Sequence, residues 1–376
     1  MIFVSITYTR KAQFNDPIAW LHRIRLYTGL LEILAIRNTV ISIDRINYTG
    51  DITVNGVRHV FPDIQPSPRK GAASSNYASL LSAAWRLNNH AKKFHPDIVL
   101  VQGMIFPLQV LLLRLQLGRK VKIIVQNHAE KAAKGRLGAL QRLADPAVNA
   151  YLFTAREMGQ DWLDQRIIRD PKKIRQVMEA SSVFSPGDSH IARTTLGIAG
   201  DPLFLWVGRL DANKDPLTVV GAFLKFPHPS AKLYMLFHTR ELLPDLMVLL
   251  DSNPGAKEKI ILIGEKSHEE MEQWFRASDY IISGSHYEGS GIAACEAMSC
   301  GCIPILTDIL SFRMMTGNGA CGILYPPGDA QALLSALQHI TAKDKQTEKQ
   351  KVLAQFQKEL SFQAIANTIH GIAASL

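Results

Sequence analysis

The chain has 376 residues, more than one hydrophobic core normally supports, so two domains of roughly 150–200 residues are expected. Apolar residues make up 47% of it and charged residues 20%, with a mean hydropathy of +0.02, which excludes disorder, collagen and coiled coil. Its 42 Lys+Arg against 33 Asp+Glu leave a net charge of +9, which taken alone points to nucleic acid or an anionic membrane.

That charge is unevenly placed. Residues 1–190 carry 26 Lys+Arg and 14 Asp+Glu, a surplus of +12, whereas residues 191–376 carry 16 and 19, a balance of −3. From Met1 to Lys11 apolar residues precede basic ones, the reverse of a secretory signal, and the run reads as a first strand. The longest apolar segment, 104–117, is broken by Gln109 and Arg114 and falls short of the roughly 20 residues a spanning helix needs. Cysteines occur at 295, 300, 302 and 321 without a Cys-x-x-Cys pair, so neither zinc nor a disulfide framework is expected, and a cytoplasmic location is.

Short apolar, β-branched runs recur at 2–6, 39–43, 98–101, 122–125, 150–153 and 173–177, each followed by a longer amphipathic or polar segment. The second half repeats the scheme at 203–207, 232–237, 259–263, 280–283, 303–306 and 322–325. Such runs read as strands buried on both faces, and their alternation with helices predicts two doubly wound parallel α/β domains in series. Asn55-Gly56 between two β-prone runs predicts a hairpin, expected as a small antiparallel decoration. Pro62, Pro66, Pro68 and the stretch from Gly71 to Ser75 then mark a surface loop. The junction is expected in 182–200, where Pro186, Gly187, Gly197, Gly200 and Pro202 stop regular structure. Residues 341–359 read as a charged helix, and 361–376 as a helix with Phe362, Ile365, Ala366, Ile369 and Ile372 on one face.

Two segments carry chemistry. In the first, a strand ends near Ser283 and the loop His286-Tyr287-Glu288-Gly289-Ser290-Gly291 leads into a helix that holds Glu296. Glycines at such a turn let backbone approach a ligand, and unpaired amides at a helix start favour an anion. With Glu288 in the loop and Glu296 in the helix, the two carboxylates bracket that start; the alternative is a solvated loop residue and a helix-surface residue. The second segment is Gly208-Arg209-Leu210-Asp211 with Asn213-Lys214-Asp215-Pro216. Two cations at the end of a parallel strand suit a diphosphate, unless Asp211 and Asp215 neutralise them.

In combination these segments resemble the retaining glycosyltransferases of family 4. Thr307-Asp308, Leu324-Tyr325-Pro326-Pro327-Gly328-Asp329 and the Phe362-Gln363-Ala364-Ile365-Ala366 segment strengthen the resemblance, which is dense from about 200 to 330. It implies a GT-B architecture, two Rossmann-like doubly wound domains facing across a cleft, with the C-terminal helix crossing back to the first. Residues 1–190 with about 360–376 would bind the acceptor, and 191–359 the nucleotide-sugar donor. By resemblance Arg209 and Lys214 hold the donor diphosphate, Glu296 the ribose hydroxyls and Glu288 the transferred sugar. Gly289, Ser290 and Gly291 would offer amides to phosphate and sugar, and Lys266 would stand near the base. No Asp-x-Asp motif is present, so a reaction without a metal ion or other cofactor is expected.

In the first domain, Val125-Gln126-Asn127-His128 ends a strand and resembles the family segment with a histidine near the sugar. His128 is therefore a candidate for orienting the donor or the acceptor hydroxyl. The segment containing Glu179 is expected to serve as a hinge. Where many relatives carry a glycine-rich turn after the first strand, this chain has Thr7 to Pro17, with Arg10 or Lys11 as possible substitutes. The resemblance implies a saccharide or lipid-linked acceptor, in envelope polysaccharide or glycolipid synthesis, and peripheral attachment to the inner membrane face. Candidate contacts with anionic lipid are the stretch from Leu21 to Tyr27, Arg114 and Gly118-Arg119-Lys120. A GT-B epimerase and a non-catalytic nucleotide-sugar-binding protein are the alternatives. Nucleic-acid binding is not expected, because few aromatics interleave with the basic residues.

Overall fold

A computed structural model describes residues 1–64 and 75–376. The chain divides into two units, one of Met1–Glu179 with Phe362–Leu376 and the other of Ala180–Ser361. Pro66, Pro68 and Gly71 of the expected surface loop lie outside the described residues.

In the first unit the described residues form an eight-stranded sheet. Its strands are β1 (Ile2–Lys11), β2 (Thr39–Ile46), β3 (Gly50–Val54), β4 (Val57–Phe61), β5 (Ile98–Gln102), β6 (Lys122–Gln126), β7 (Ala150–Phe153) and β8 (Ile174–Gln176), in the order β3-β4-β2-β1-β5-β6-β7-β8. All neighbours run parallel except β3 and β4, and strands such as β5 and β7 are buried along nearly their whole length. Those covered faces are why these stretches are continuously apolar rather than alternating.

The hairpin corrects one expectation. Asn55 and Gly56 take positive φ (48° and 82°) and join β3 to β4 antiparallel, as the Asn-Gly signal demands. Yet β4 pairs parallel with β2, from Val40↔Val57 to Ile43↔Val60. The hairpin thus supplies the sheet's last two strands on that side, β3 as its edge and β4 paired to β2, and is not an appendage.

In the second unit the described strands are β9 (Leu203–Gly208), β10 (Lys232–Phe237), β11 (Ile260–Gly264), β12 (Tyr280–Ser283), β13 (Ile303–Thr307) and β14 (Ile323–Tyr325), all parallel in the order β11-β10-β9-β12-β13-β14. The order reverses between β9 and β12, and in such sheets ligands sit beyond the carboxyl ends of the strands at that point. Glycine and proline at 182–200 do not keep that stretch irregular: Asp188 caps a helix at Ser189–Leu196 by accepting from the amides of His190 and Ile191. The Ser185 carbonyl accepts from Arg276 Nε at 2.9 Å, which ties this segment to the second unit.

The helix Phe362–Ser375 packs in the first unit, burying Ile365, Ala366, Ile369 and Ala373. It lies against the helix Arg25–Ala35, where a side chain on Gly29 would come within 2.7 Å of the Phe362 ring. The four cysteines are free; Cys295, Cys302 and Cys321 are buried and Cys300 is half-buried. No helix among the described residues is long and apolar enough to cross a membrane.

Candidate active site

Two loops meet at the switch point of the second unit. Beyond β9, Asp211 organises the first: its Oδ2 lies 3.0 Å from Arg209 Nε and its Oδ1 accepts the Lys214 amide at 3.0 Å. Asp215 adopts φ 43° and caps the helix Pro216–Lys225 by accepting from the Thr218 amide. Its other oxygen faces His286 Nε2 at 3.1 Å. Asp211 therefore does pair with a cation, whereas Asp215 serves the helix and a histidine.

The loop after β12 is laid against the first one. Asn213 Nδ2 donates to the Tyr287 carbonyl at 3.0 Å, and the His286 amide donates to the Asn213 carbonyl at 2.8 Å. Gly284 is required there, because a Cβ would stand 2.9 Å from the Asp215 carbonyl oxygen and 3.1 Å from that of Lys214. From the far side Tyr325 Oη donates to the Ser283 carbonyl and Thr307 Oγ1 to that of Ser285, which is fully buried. The loop is thus held by β13 and β14 as well.

This scaffold fixes the predicted side chains. Lys214 Nζ bonds Glu288 Oε1, which also accepts from Ser285 Oγ at 2.7 Å. Glu288 lies in the loop, and Glu296 sits just over one turn into the helix Ile292–Ser299. Gly291 caps that helix with φ 71° and no side-chain acceptor, and a Cβ there would collide with Phe312 at 2.5 Å. Gly289, Ser290 and Gly291 thus lead directly into first-turn amides that no side chain caps. A cavity of about 380 Å³ opens beside this start. Arg209, Lys214, Lys266 and Glu296 line it with the apolar Val207, Phe237, Met271 and Ile292. Cationic, acidic and apolar walls in a concavity of this size suit a polar ligand with one flat apolar part.

Glu296 is buried, and its Oε1 lies 2.8 Å from His268 Nε2. The His268 ring packs against Phe184, with centroids 4.9 Å apart. His268 begins a helix whose Ser267 and Glu270 form a capping box, and Glu270 Oε1 also lies 3.4 Å from Lys266 Nζ. His268 and Ser285 are the contributors that motif reading did not single out; each is found only through its spatial partner.

His128 belongs to the first unit. It follows β6, and its amide donates to Glu130 Oε2 at 2.6 Å while Glu130 Oε1 accepts from the Met104 amide. Its Nδ1 lies 2.5 Å from Glu179 Oε1 and its Nε2 lies 3.0 Å from Gln102 Oε1. Tyr27 Oη donates to the same Glu179 oxygen at 3.0 Å. Burial works against a charged ring, but the hydrogen bond and charge of Glu179, then the charge of Glu130, raise the His128 pKa above its ordinary value. Burial, then Glu179, raises the Tyr27 phenol. Glu179, expected as hinge, is thus the main partner of His128. Two residues considered for lipid contact are also corrected: Tyr27 is committed to this network, and the Arg114 guanidinium donates to the carbonyls of Gly118, Val121 and Ala147 and to Asn149 Oδ1. Arg23, Arg119 and Lys120 are exposed.

Residues 190–359, nearly the whole second unit, match the family described as Glycosyl transferases group 1. A relative in Nocardia farcinica, D-inositol 3-phosphate glycosyltransferase, is 28% identical over 149 residues, which are 38% of this chain and 33% of that protein. The chain therefore spans about a third of the curated relatives it matches. Among solved structures, HepE of Anabaena in complex with UDP superposes with a TM-score of 0.72 at 14% identity, covering all of both chains. Sucrose-phosphate synthase of Thermosynechococcus elongatus superposes at 0.70 with 18% identity, covering 100% of this chain and 99% of the other. The fold is GT-B.

Proposed function

We propose that the chain is a retaining glycosyltransferase that moves a sugar, as a hexosyl group, from a nucleoside-diphosphate sugar to an acceptor hydroxyl. The observation that carries this reading is the convergence of Arg209, Lys214, Lys266 and Glu296 on one cavity at a helix start, within the segment that matches the family. UDP is the first nucleotide to test, since HepE was solved with it.

The residues supply the chemistry such a transfer needs. When the bond between the sugar carbon and the diphosphate oxygen breaks, its electron pair goes to the diphosphate. Fixed cations and helix-start amides stabilise that charge where it develops, so neither a metal ion nor a cofactor need take part. Arg209 offers a planar fork and Lys214 a point charge. Lys214 now holds Glu288; a diphosphate competing for Nζ would leave that carboxylate to the transferred sugar. Glu296, turned from His268, would accept from ribose hydroxyls, with the base against Phe237 and Met271. The acceptor oxygen attacks from the face the diphosphate leaves and passes its proton to the departing phosphate oxygen, which retains configuration. The acceptor, a saccharide or a lipid-linked one in envelope polysaccharide or glycolipid synthesis, falls to the first unit, where His128, once its Nε2 is released by Gln102, orients the donor or the acceptor hydroxyl. Attachment to an anionic membrane surface belongs to this reading as well, through exposed Arg23, Arg119 and Lys120.

The test is nucleotide release from a panel of UDP-, GDP- and ADP-sugars. One should be turned over, and Lys214→Ala should lower the rate at least ~10²-fold, the scale of losing a charge-stabilising group. No release and no calorimetric binding across the panel refutes the reading.

A further inference from the structure

The first unit holds a second concavity, of about 120 Å³, where β1 and β2 end. Arg10, Arg45, Asn47, Tyr48 and Thr49 line it, with Asp63 as the carboxylate on its wall. A space of that size, open to water, admits a compact oxyanion.

The arginines are placed as if for a missing partner. Arg10 and Arg45 stand opposite each other in the β1–β2 register. Like charges so placed repel. Burial, then the charges of Arg10 and Arg86, lowers the Arg45 pKa. Arg45 Nη2 donates to the Ile64 carbonyl at 3.2 Å, but its Nε is enclosed without an acceptor. Among the described residues neither Arg10 nor Arg45 has an ion-pair partner. The nearby Asp44 is turned inward and accepts from Ser42 Oγ at 2.7 Å. A compact anion between them would relieve the repulsion and accept from both guanidinium groups, for which a phosphoryl group has the oxygens.

We infer that this concavity receives a phosphoryl group carried by the acceptor, an inference that rests on the reading that the first unit binds the acceptor. β2, β1, β5 and β6 are adjacent and parallel, so their carboxyl ends share one edge of the sheet. His128 follows β6 on that edge, three strand spacings from β2, roughly 14 Å away. A phosphate held by Arg10 and Arg45 leaves one or two sugar rings to span the distance. The same phosphoryl chemistry is offered by a soluble sugar phosphate and by a lipid headgroup.

The experiment uses the full chain with UDP present in excess to fill the cavity at Arg209 and Lys214. Glucose 6-phosphate, glucose and inorganic phosphate are titrated calorimetrically, and phosphatidylcholine vesicles with and without phosphatidic acid are floated. Glucose 6-phosphate should bind where glucose does not, or phosphatidic acid vesicles should bind where neutral ones do not; the responsive arm identifies the source. Arg10→Gln, at a half-buried position, and Arg45→Gln should each weaken that binding at least tenfold and leave UDP affinity unchanged. Arg10→Lys should recover part of it. Wild-type protein that binds no phosphate probe, or variants that bind as tightly as wild type, overturn the inference. Equal loss in Arg209→Ala does so too. If no nucleotide binds, the titrations run without UDP: phosphate binding that depends on Arg10 then upholds this site while the donor reading falls.

Discussion

Both ring nitrogens of His128 face acceptors. Glu179 takes Nδ1, and Gln102, whose amide nitrogen already donates to Ser5 Oγ at 3.2 Å, turns its oxygen to Nε2. Two acceptors favour the protonated ring, the same direction in which Glu179 and Glu130 move its pKa against burial. The sign follows from linkage. A group whose folded pKa is raised contributes stability that is complete below its unfolded value of about 6.5, and that stability is lost as pH rises through the folded value. Glu179→Gln keeps the shape and removes the charge. It should lower the His128 titration midpoint, read by NMR of ring-labelled histidine. It should also cost about 1–3 kcal/mol of stability at pH 6, with a smaller loss at pH 9 in denaturant unfolding. An unchanged midpoint sinks this account of the ring. The network could not be read from the chain, because its members lie 26, 51 and 101 residues from His128. A histidine after a strand is visible in sequence; the carboxylate that gives it a charge is not. The same holds for Glu296, legible by its spacing from Glu288, and for His268, legible only in space.

At the scale of elements, most strands were legible because both faces are covered and the residues are accordingly apolar throughout; β7, β10 and β12 begin and end where the apolar runs do. Pairing was not legible. Nothing local in Val57-Arg58-His59-Val60 states that it lies along Val40–Ile43, so the hairpin's turn could be read and its place in the sheet could not. The helix Ser189–Leu196 was hidden by Pro186 and Gly187, although Asp188 is an ordinary capping residue. Element packing also gives paired expectations of opposite sign. Gly284→Ala forces a methyl against two carbonyl oxygens where the loops after β9 and β12 touch, and should cost about 1–3 kcal/mol and weaken UDP binding. Gly221→Ala, inside the helix Pro216–Lys225 with nothing within 4 Å of the added carbon, should stabilise by about 0.5–1 kcal/mol. Denaturant midpoints of the two variants decide it; a neutral Gly284→Ala would mean the loops yield.

For the whole molecule, the chain leaves the first unit after Glu179 and returns at Phe362, so the second unit is one uninterrupted insertion. The charge asymmetry follows that division, with the basic surplus in the unit that holds Arg10, Arg45 and His128. The apolar face of the last helix foretold that it would cover a surface, and Gly29 and Phe362 show which one. Nucleotide should act on the insertion. At 100 times its dissociation constant UDP should stabilise that unit by ~2.7 kcal/mol. Amide exchange should slow at 208–215 and 284–296; slowing confined to the first unit would misplace the donor.

Burial holds the Cys295 and Cys302 thiols well above their ordinary pKa and pushes Cys300 and Cys321 up to about 12. At neutral pH almost no thiolate is present, and the thiolate is the reactive form. The native chain is therefore a quiet background for maleimide chemistry. Cysteines introduced at exposed Arg119 and Lys257, one in each unit, would carry essentially all of the dye. Any movement of one unit against the other then becomes a change in energy transfer between two fluorophores, followed in real time as nucleotide is added.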